Sequence, residues 1–221
     1  MPRPAPAAST VVDSILFRDA FGTEEMRAIF SDLALVQRYI DVEVALAKAQ
    51  ARVGVIPQAA AETIAGKARI EAIDFEHMRH ETDIVGYPIL PLVHQLVAMC
   101  GEAGRYIHWG ATTQDIMDTA VALQVRDGLA LVERDIAALR GILADLAIRH
   151  RDTAMAGRTH LQQALPVTFG YKCAIWLAMF DRHQARLAEL RGRVAVVQFA
   201  GAAGTLASLG EKGLDVQTAL A

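Results

Sequence analysis

The sequence has 221 residues, of which 53% are hydrophobic and 6% aromatic, and its formal net charge is -3. This length allows one sizeable core, and the alanine- and leucine-rich apolar fraction favours helices over strands. The balanced charge, without a basic run, excludes an electrostatic nucleic-acid surface, and no uninterrupted apolar stretch is long enough to span a bilayer. We therefore expect a cytoplasmic helical protein that binds neither nucleic acid nor membrane.

The amino-terminal segment offers little that a core could bury. Residues 1–14 include Pro2, Pro4 and Pro6, which prevent a helix, so the sequence predicts a flexible tail there. The first helix should begin near Thr23, whose hydroxyl can cap it. Its apolar residues then recur at spacings of three and four, which is typical of one long helix. These residues are Met26, Ile29, Leu33, Val36, Ile40, Val44 and Ala47.

Shorter helices should follow, separated by glycine and proline. Gly54 can end the long helix, Pro57 can begin the next one, and Asp74 can cap another. The expected segments are residues 58–68, a helix from about residue 75, and residues 93–100 after a loop or kink at residues 81–92. Together they predict an N-terminal helical domain over residues 15–105.

The second half of the chain contains two heptad-like seams. In each seam, apolar residues alternate spacings of four and three, which is the pattern of helices packed side by side. The first seam runs from Val125 to Leu146 and the second from Trp176 to Val197. The sequence therefore predicts two long helices that pack nearly antiparallel.

A polar segment before the first seam reads His108-Trp-Gly-Ala-Thr-Thr-Gln-Asp115. Gly110 permits a tight turn, Thr112 and Thr113 offer hydroxyls, and the following helix points its free N–H groups and positive dipole end toward the turn. Such a corner can hold a substrate carboxylate. The alternative interpretation is that Thr112 or Thr113 caps the helix, with Asp115 complementing its dipole.

A second polar segment, Gly157-Arg-Thr-His-Leu-Gln-Gln163, lies before the second seam. A histidine can give or take a proton near neutral pH, so His160, flanked by hydroxyl, amide and guanidinium groups, could act as a general acid. The alternative interpretation is that Arg158 and His160 form polar contacts between helices.

No pattern in the sequence indicates a metal or a cofactor. His77 and His80 are three residues apart, but no further ligand follows at the spacing of metal sites, so a solvated polar face is the better interpretation. Cys100 and Cys173 lie among apolar neighbours, which indicates buried free thiols. A phosphate-binding glycine loop, a nucleophile elbow and a dinucleotide fingerprint are all missing.

Taken together and in this order, the two polar segments resemble motifs of the fumarase/aspartase superfamily, which includes adenylosuccinate lyase, argininosuccinate lyase and 3-carboxy-cis,cis-muconate cycloisomerase. The segments from His108 to Thr119 and from Val197 to Gly210 look most like the muconate cycloisomerase branch. His160 in Gly-Arg-Thr-His is instead similar to adenylosuccinate and argininosuccinate lyases. Thr82, however, stands where adenylosuccinate lyases carry a histidine.

The resemblance implies an all-α fold in which residues 106–221 form part of a central antiparallel helix bundle. It also implies a homotetramer with active sites assembled from three subunits. The implied reaction is β-elimination, or its reverse, on a polycarboxylate of succinyl or carboxymuconate type, through an aci-carboxylate carbanion and without a cofactor or metal. His160 would be the catalytic acid, and the substrate contacts would be His108, Thr112, Thr113, Thr159 and Gln163.

The superfamily's signature loop, Gly-Ser-Ser-x-Met-Pro-x-Lys-x-Asn, supplies a serine thought to act as the base. No Ser-Ser pair occurs in the 221 residues, so the resemblance predicts a chain that stops before this loop. The competing interpretation, from another class of protein, is a catalytically inert helical association module.

Overall fold

The computed structural model describes residues 10–221, which are predominantly helical. The helices are α1 Arg18–Phe21, α2 Glu24–Ile29, α3 Asp32–Arg52, α4 Gln58–Lys67, α5 Phe75–Val85, α6 Ile89–Cys100, α7 Thr113–Arg149, α8 Phe169–Val194 and α9 Gly213–Leu220. Short 3₁₀ helices lie at Ile70–Ala72, Gly101–Tyr106 and Ala207–Lys212. The strands β1 Ala154–Thr159 and β2 Gln162–Thr168 pair antiparallel. The helical fold class is thus confirmed, whereas the hairpin was not predicted.

The described chain forms two compact units. Unit 1 comprises residues 10–125 and 196–221, and unit 2 comprises Arg126–Ala195, so that α7 supplies residues to both. The predicted domain division between residues 105 and 106 stays a prediction. Of the predicted tail at residues 1–14, residues 1–9 lie outside the described part of the chain. No helix within residues 10–221 has both the length and the hydropathy to cross a bilayer.

The long helix predicted between Thr23 and Gly54 is divided in two. Thr23 caps α2 as expected, accepting a hydrogen bond from the Met26 N–H at 3.2 Å, but α2 ends at Ile29. Ser31 then caps α3 by accepting from the Ala34 N–H at 3.2 Å. A serine hydroxyl satisfies one of the free N–H groups of a new helix, which is why the chain restarts there although its apolar periodicity continues.

The boundaries of α5 and α6 show where proline is tolerated. Asp74 caps α5 as predicted, accepting from the His77 N–H at 2.9 Å. Helix α6 begins at Ile89, four residues earlier than expected, with Pro88 at its N-cap and Pro91 in its first turn. Proline lacks an N–H, but the first turn of a helix has no use for that donor, so these prolines start the helix and do not interrupt it.

Helix α3 is the central element of unit 1. It contacts α4 through one part of its surface and α9 through another. The larger apolar core includes Ile40, Ala47, Ile64, Leu92, Leu96 and Ile116. A second cluster joins α3 to the carboxyl-terminal segment and comprises Leu46, Ala49, Phe199, Leu206, Leu209 and Val216. Burial of this second cluster fixes residues 199–216 against α3.

Unit 2 contains most of α7, the hairpin and α8. Arg140 on α7 donates to Asp181 on α8 at 2.6 Å, and Glu133 on α7 pairs with Arg191 on α8. Because the later residue of α7 meets the earlier residue of α8, the two helices run antiparallel, as their seams predicted. Close approach at the start of α8 requires Gly170, since a Cβ there would lie 2.5 Å from the Ala147 carbonyl oxygen.

Candidate functional site

A buried acidic side chain holds the loop that contains His108. Glu43 on α3 is only 2% exposed, and its carboxylate accepts the His108 backbone N–H at 3.1 Å and lies 2.6 Å from the His108 Nδ1. Two turns further along α3, Gln50 donates to the Trp109 carbonyl oxygen at 2.6 Å. One face of α3 therefore holds two successive residues of the loop.

His108 has an unusual backbone and a perturbed ring. Its φ of +60° lies in the left-handed region, which non-glycine residues rarely adopt, and the two interactions with Glu43 hold it there. Burial by itself lowers the pKa of His108, but the hydrogen bond and charge of Glu43, with a smaller contribution from Asp115, outweigh it and raise the pKa above its ordinary value. The protonated imidazole is thus favoured in unit 1.

Asp115 organises the start of α7. This carboxylate is 1% exposed and accepts three backbone N–H groups, those of Thr112 at 3.0 Å, Ala200 at 3.0 Å and Gly201 at 2.9 Å. It therefore joins the polar segment at residues 108–115 to the glycine-rich segment at residues 199–204. One turn later, the Thr119 hydroxyl both donates to and accepts from the backbone of Gln198 at 3.0 Å.

Two glycines let these segments approach each other. Gly110 has a φ of +73°, and a Cβ there would meet the Leu209 side chain at 2.9 Å. Gly201 also has a φ of +73°, and a Cβ there would lie 3.1 Å from the Gly110 carbonyl oxygen. A larger residue at either position would require both a rarely adopted backbone and a shift of its neighbour.

The hydroxyls of Thr112 and Thr113 remain available to bind a ligand. Both residues are half-buried, and within residues 10–221 neither hydroxyl makes a hydrogen bond. Asp115, at the third position of α7, reaches back and accepts the N–H of Thr112, the residue before the helix. Together with the His108 ring, these hydroxyls form a group that we call the His108 corner, lying at the amino end of α7 in unit 1.

Unit 2 carries the other predicted site residues on the hairpin. Thr159 lies opposite Gln162 at the end of the strands, and Gln163 lies opposite Arg158. His160 and Leu161 form the tip, where Leu161 has a φ of +55° and is 94% exposed. His160 is also exposed. Arg158 lies on β1 and His160 in the turn, whereas the alternative interpretation of the sequence had placed both in contacts between helices. The six predicted residues thus form two sets, one in each unit.

The described residues present no obvious metal site. Within residues 10–221, no group of three or more His, Cys, Asp or Glu side chains is arranged to hold a metal ion. His77 and His80 are exposed on α5, and Cys100 and Cys173 are buried free thiols as the sequence indicated.

Sequence reasoning missed Glu43, although a signal was present. It lies three residues after Ile40 and four before Ala47, on the apolar face predicted for the first long helix. A carboxylate at such a position must find a partner when it is buried, because an unpaired buried charge is costly. The signal that could have revealed Glu43 is thus a charged residue on an otherwise apolar helix face, although that signal does not identify the residue's partner.

Comparison with known proteins identifies the family. A family model described as Lyase matches residues 20–218. The chain is 47% identical to 3-carboxy-cis,cis-muconate cycloisomerase of Pseudomonas aeruginosa, covering 96% of this chain and 47% of that protein. It is 46% identical to N-acetyl-S-(2-succino)cysteine lyase of Dickeya dadantii, covering 95% of this chain and 46% of that protein.

A solved structure agrees in both sequence and fold. The fumarate lyase from Mesorhizobium sp. BNC1 is 62% identical, with a TM-score of 0.87 over 90% of this chain and 47% of that one. The chain spans about half the length of the curated relatives it matches. The two polar motifs, the helical fold and these matches together show that the chain belongs to the fumarase/aspartase superfamily of fumarate lyases.

Proposed function

We propose that the complete protein is a lyase or cycloisomerase that carries out β-elimination, or its reverse, on a polycarboxylate substrate. The His108 corner carries this proposal. An imidazole whose pKa is raised by Glu43, two hydroxyls without hydrogen bonds and the amino end of α7 all favour a negatively charged oxygen. A substrate carboxylate carries two such oxygens on one carbon atom.

The reaction needs this corner because charge develops on the carboxylate. A base, expected in the family's signature loop, removes a proton from the carbon beside the carboxylate, and the C–H electron pair moves into the carboxylate to give an aci-carboxylate. The pair then returns to form the carbon–carbon double bond as the bond to the leaving atom breaks. Pre-oriented donors that meet the doubly charged intermediate lower the barrier more than they tighten substrate binding.

His160 is the proposed acid in this scheme. It gives its proton to the leaving nitrogen or oxygen, and Thr159 and Gln163 contact the substrate beside it. The hairpin supports these roles because it holds the three residues close together at its exposed end. Nothing in the sequence of steps requires a cofactor.

The favoured substrate is a carboxymuconate, which would undergo the reverse of the elimination. One of its own carboxylates adds to a carbon–carbon double bond and closes a lactone while the neighbouring carbon gains a proton; in the elimination direction that carboxylate is the leaving group. The resemblance of residues 108–119 and 197–210 to the cycloisomerase branch supports this choice, as does the cycloisomerase relative from Pseudomonas aeruginosa. The second candidate is a fumarate-releasing lyase similar to adenylosuccinate lyase. His160 in Gly-Arg-Thr-His supports it, as does a relative whose name specifies a succino-substituted cysteine.

An ultraviolet assay of the complete protein tests the reaction and separates the candidates. Consumption of 3-carboxymuconate without fumarate would support the cycloisomerase, and fumarate release from adenylosuccinate or from a succinylated thiol would support the lyase. Activity should persist in the presence of a metal chelator. A complete protein that is folded but inactive on the whole panel would leave the helical association module as the remaining interpretation.

We also propose that the protein forms a homotetramer in the cytoplasm. In unit 2 the seam residues Leu139 and Trp176 are 41% and 40% exposed, and Ile142, which lies outside the seam positions of α7, is 55% exposed. Large apolar side chains left exposed on long helices favour an interface, and neighbouring subunits would bury them. Analytical ultracentrifugation should show a tetramer for the complete protein and smaller species for Ile142→Glu, and an unchanged tetramer would contradict this interface.

A further inference from the structure

Glu43 has no role in the reaction scheme above, yet it is the most buried acidic side chain on α3. It is 2% exposed and directs both carboxylate oxygens to one residue, Oε2 to the backbone N–H of His108 and Oε1 to the ring Nδ1. A buried carboxylate with these two contacts fixes both the backbone and the ring of its partner.

The two nitrogens of the His108 ring have different surroundings. Nδ1 is engaged by Glu43, whereas Nε2 has no hydrogen bond within residues 10–221, and 20% of the side chain is exposed. A carboxylate on one ring nitrogen fixes a proton there and orients the ring, so that the other nitrogen serves a ligand. When the ring is protonated, Nε2 is a charged donor.

We propose that Glu43 is a positioning residue: by holding the backbone N–H and the Nδ1 of His108, it orients the ring so that Nε2 donates to a substrate carboxylate in the His108 corner. This inference rests on the proposed function, because it assigns the ligand of the same corner. Glu43 itself does not touch the substrate. It acts through His108, and Asp115 is a second acidic group whose charge acts on that ring.

The competing role for Glu43 is a structural one, in which it merely ties the loop to α3. Gln50 provides a matched control, because it ties the next loop residue to the same helix without touching the His108 ring. Gln50→Leu removes this second hydrogen bond and leaves the charge beside His108 unchanged. A purely structural role predicts similar consequences for Gln50→Leu and Glu43→Gln, whereas the positioning role predicts different ones.

The experiment compares Glu43→Gln, Glu43→Asp and Gln50→Leu in the complete protein by two measurements. Hydrogen–deuterium exchange at the His108 ring carbon between the two nitrogens, followed by mass spectrometry over a pH series, reports the pKa of that histidine. Steady-state kinetics over the same series reports KM and kcat for whichever polycarboxylate the protein converts. The exchange measurement needs no activity, so it remains informative if the proposed function fails.

The expected result has a specific pH signature. Glu43→Gln keeps the shape of the side chain but removes its charge, so the pKa of His108 should fall and KM should rise by about ten-fold where the variant's His108 is neutral and the wild type's is charged. The KM difference should narrow as pH falls through the lowered pKa, with kcat less affected. Glu43→Asp should restore most of the affinity, and Gln50→Leu should leave the pKa of His108 unchanged.

Three outcomes would overturn the inference. The first is a pKa of His108 that does not move in Glu43→Gln. The second is a pKa that moves while KM and its pH dependence stay at the wild-type values. The third is a KM increase that is the same at every pH and is matched by Gln50→Leu, since that is the signature of a loosened loop. An inactive wild-type protein with a shifted pKa in the variant would instead contradict the proposed function alone.

Discussion

The His108 corner and the His160 hairpin belong to the same family motif set but are held by different means. In unit 1, buried polar groups fix the loop and the start of α7, with Glu43 and Asp115 each almost inaccessible to solvent. In unit 2, the predicted acid lies at the exposed tip of a two-stranded hairpin, where Leu161 and Leu165 are 94% and 82% exposed. A substitution of the buried groups that hold the corner in place should therefore cost stability, and one at the hairpin tip should cost activity.

The largest effect is expected at the hairpin tip. His160→Ala in the complete enzyme should lower turnover by about two to four orders of magnitude, because the leaving group loses its proton donor. Thermal unfolding should stay at the wild-type temperature, because His160 is exposed. His77→Ala on α5 is the matched control, since it removes another exposed histidine and should change neither quantity. Undiminished turnover in His160→Ala would remove this residue from the acid role.

At Asp115, which holds the segment that carries the His108 corner, we expect a loss of stability. Asp115→Ala should lower the free energy of unfolding by about 3 kcal/mol, because three backbone N–H groups lose their acceptor in a buried position. Urea unfolding followed by circular dichroism measures this difference. Asp118→Ala, an exposed position on the same helix, should stay within about 0.5 kcal/mol of the wild type. Similar losses in both variants would show that Asp115 does not join the two segments.

A smaller loss is expected one turn further along α7. Thr119→Val should cost about 1 kcal/mol, since its hydroxyl makes two hydrogen bonds with the Gln198 backbone but Gln198 itself remains exposed to water. Thr218→Val on α9 removes an exposed hydroxyl that bonds only within its own helix, so the same unfolding measurement should barely change. A larger loss of stability in Thr218→Val than in Thr119→Val would contradict the role of Thr119 in joining α7 to the Gln198 backbone.

The smallest expected effect is a pH dependence of stability, which arises from His108 in unit 1. The folded state raises the pKa of His108, so its protonated form stabilises the fold. This contribution is fully present below the ordinary histidine pKa of about 6.5 and is lost as pH rises through the higher pKa of the folded state. The difference in melting temperature between wild type and His108→Gln should therefore shrink with rising pH over that window. His160→Gln is the control, and a difference that grew with pH would contradict the assigned direction.

Much of the helical framework followed from local patterns. Thr23 and Asp74 were recognised as caps because short polar side chains satisfy free N–H groups at helix starts, and both act that way. The antiparallel pairing of α7 and α8 followed from the spacing of apolar residues. Ser31 was missed because its flanking apolar residues keep the same periodicity across the break, so the pattern alone could not reveal it.

The hairpin at residues 154–168 could not be predicted in the same way. Its strands are largely exposed, so they lack the alternation of buried and exposed residues that identifies a strand. Pro166 and Gly157 added signals that read more naturally as a loop between helices. The structure nevertheless places Thr159, His160 and Gln163 close together at one end of the hairpin.

The sequence by itself determined the helical class, several helix starts and the identity of the two polar motifs, because these depend on residues close together in the chain. Only the tertiary structure decided that Glu43 meets His108, 65 residues away, and that Asp115 meets Gly201, 86 residues away. Such pairings depend on how helices pack, and many partners are compatible with one buried carboxylate. Burial requires that a charge be paired, but the fold chooses its partner.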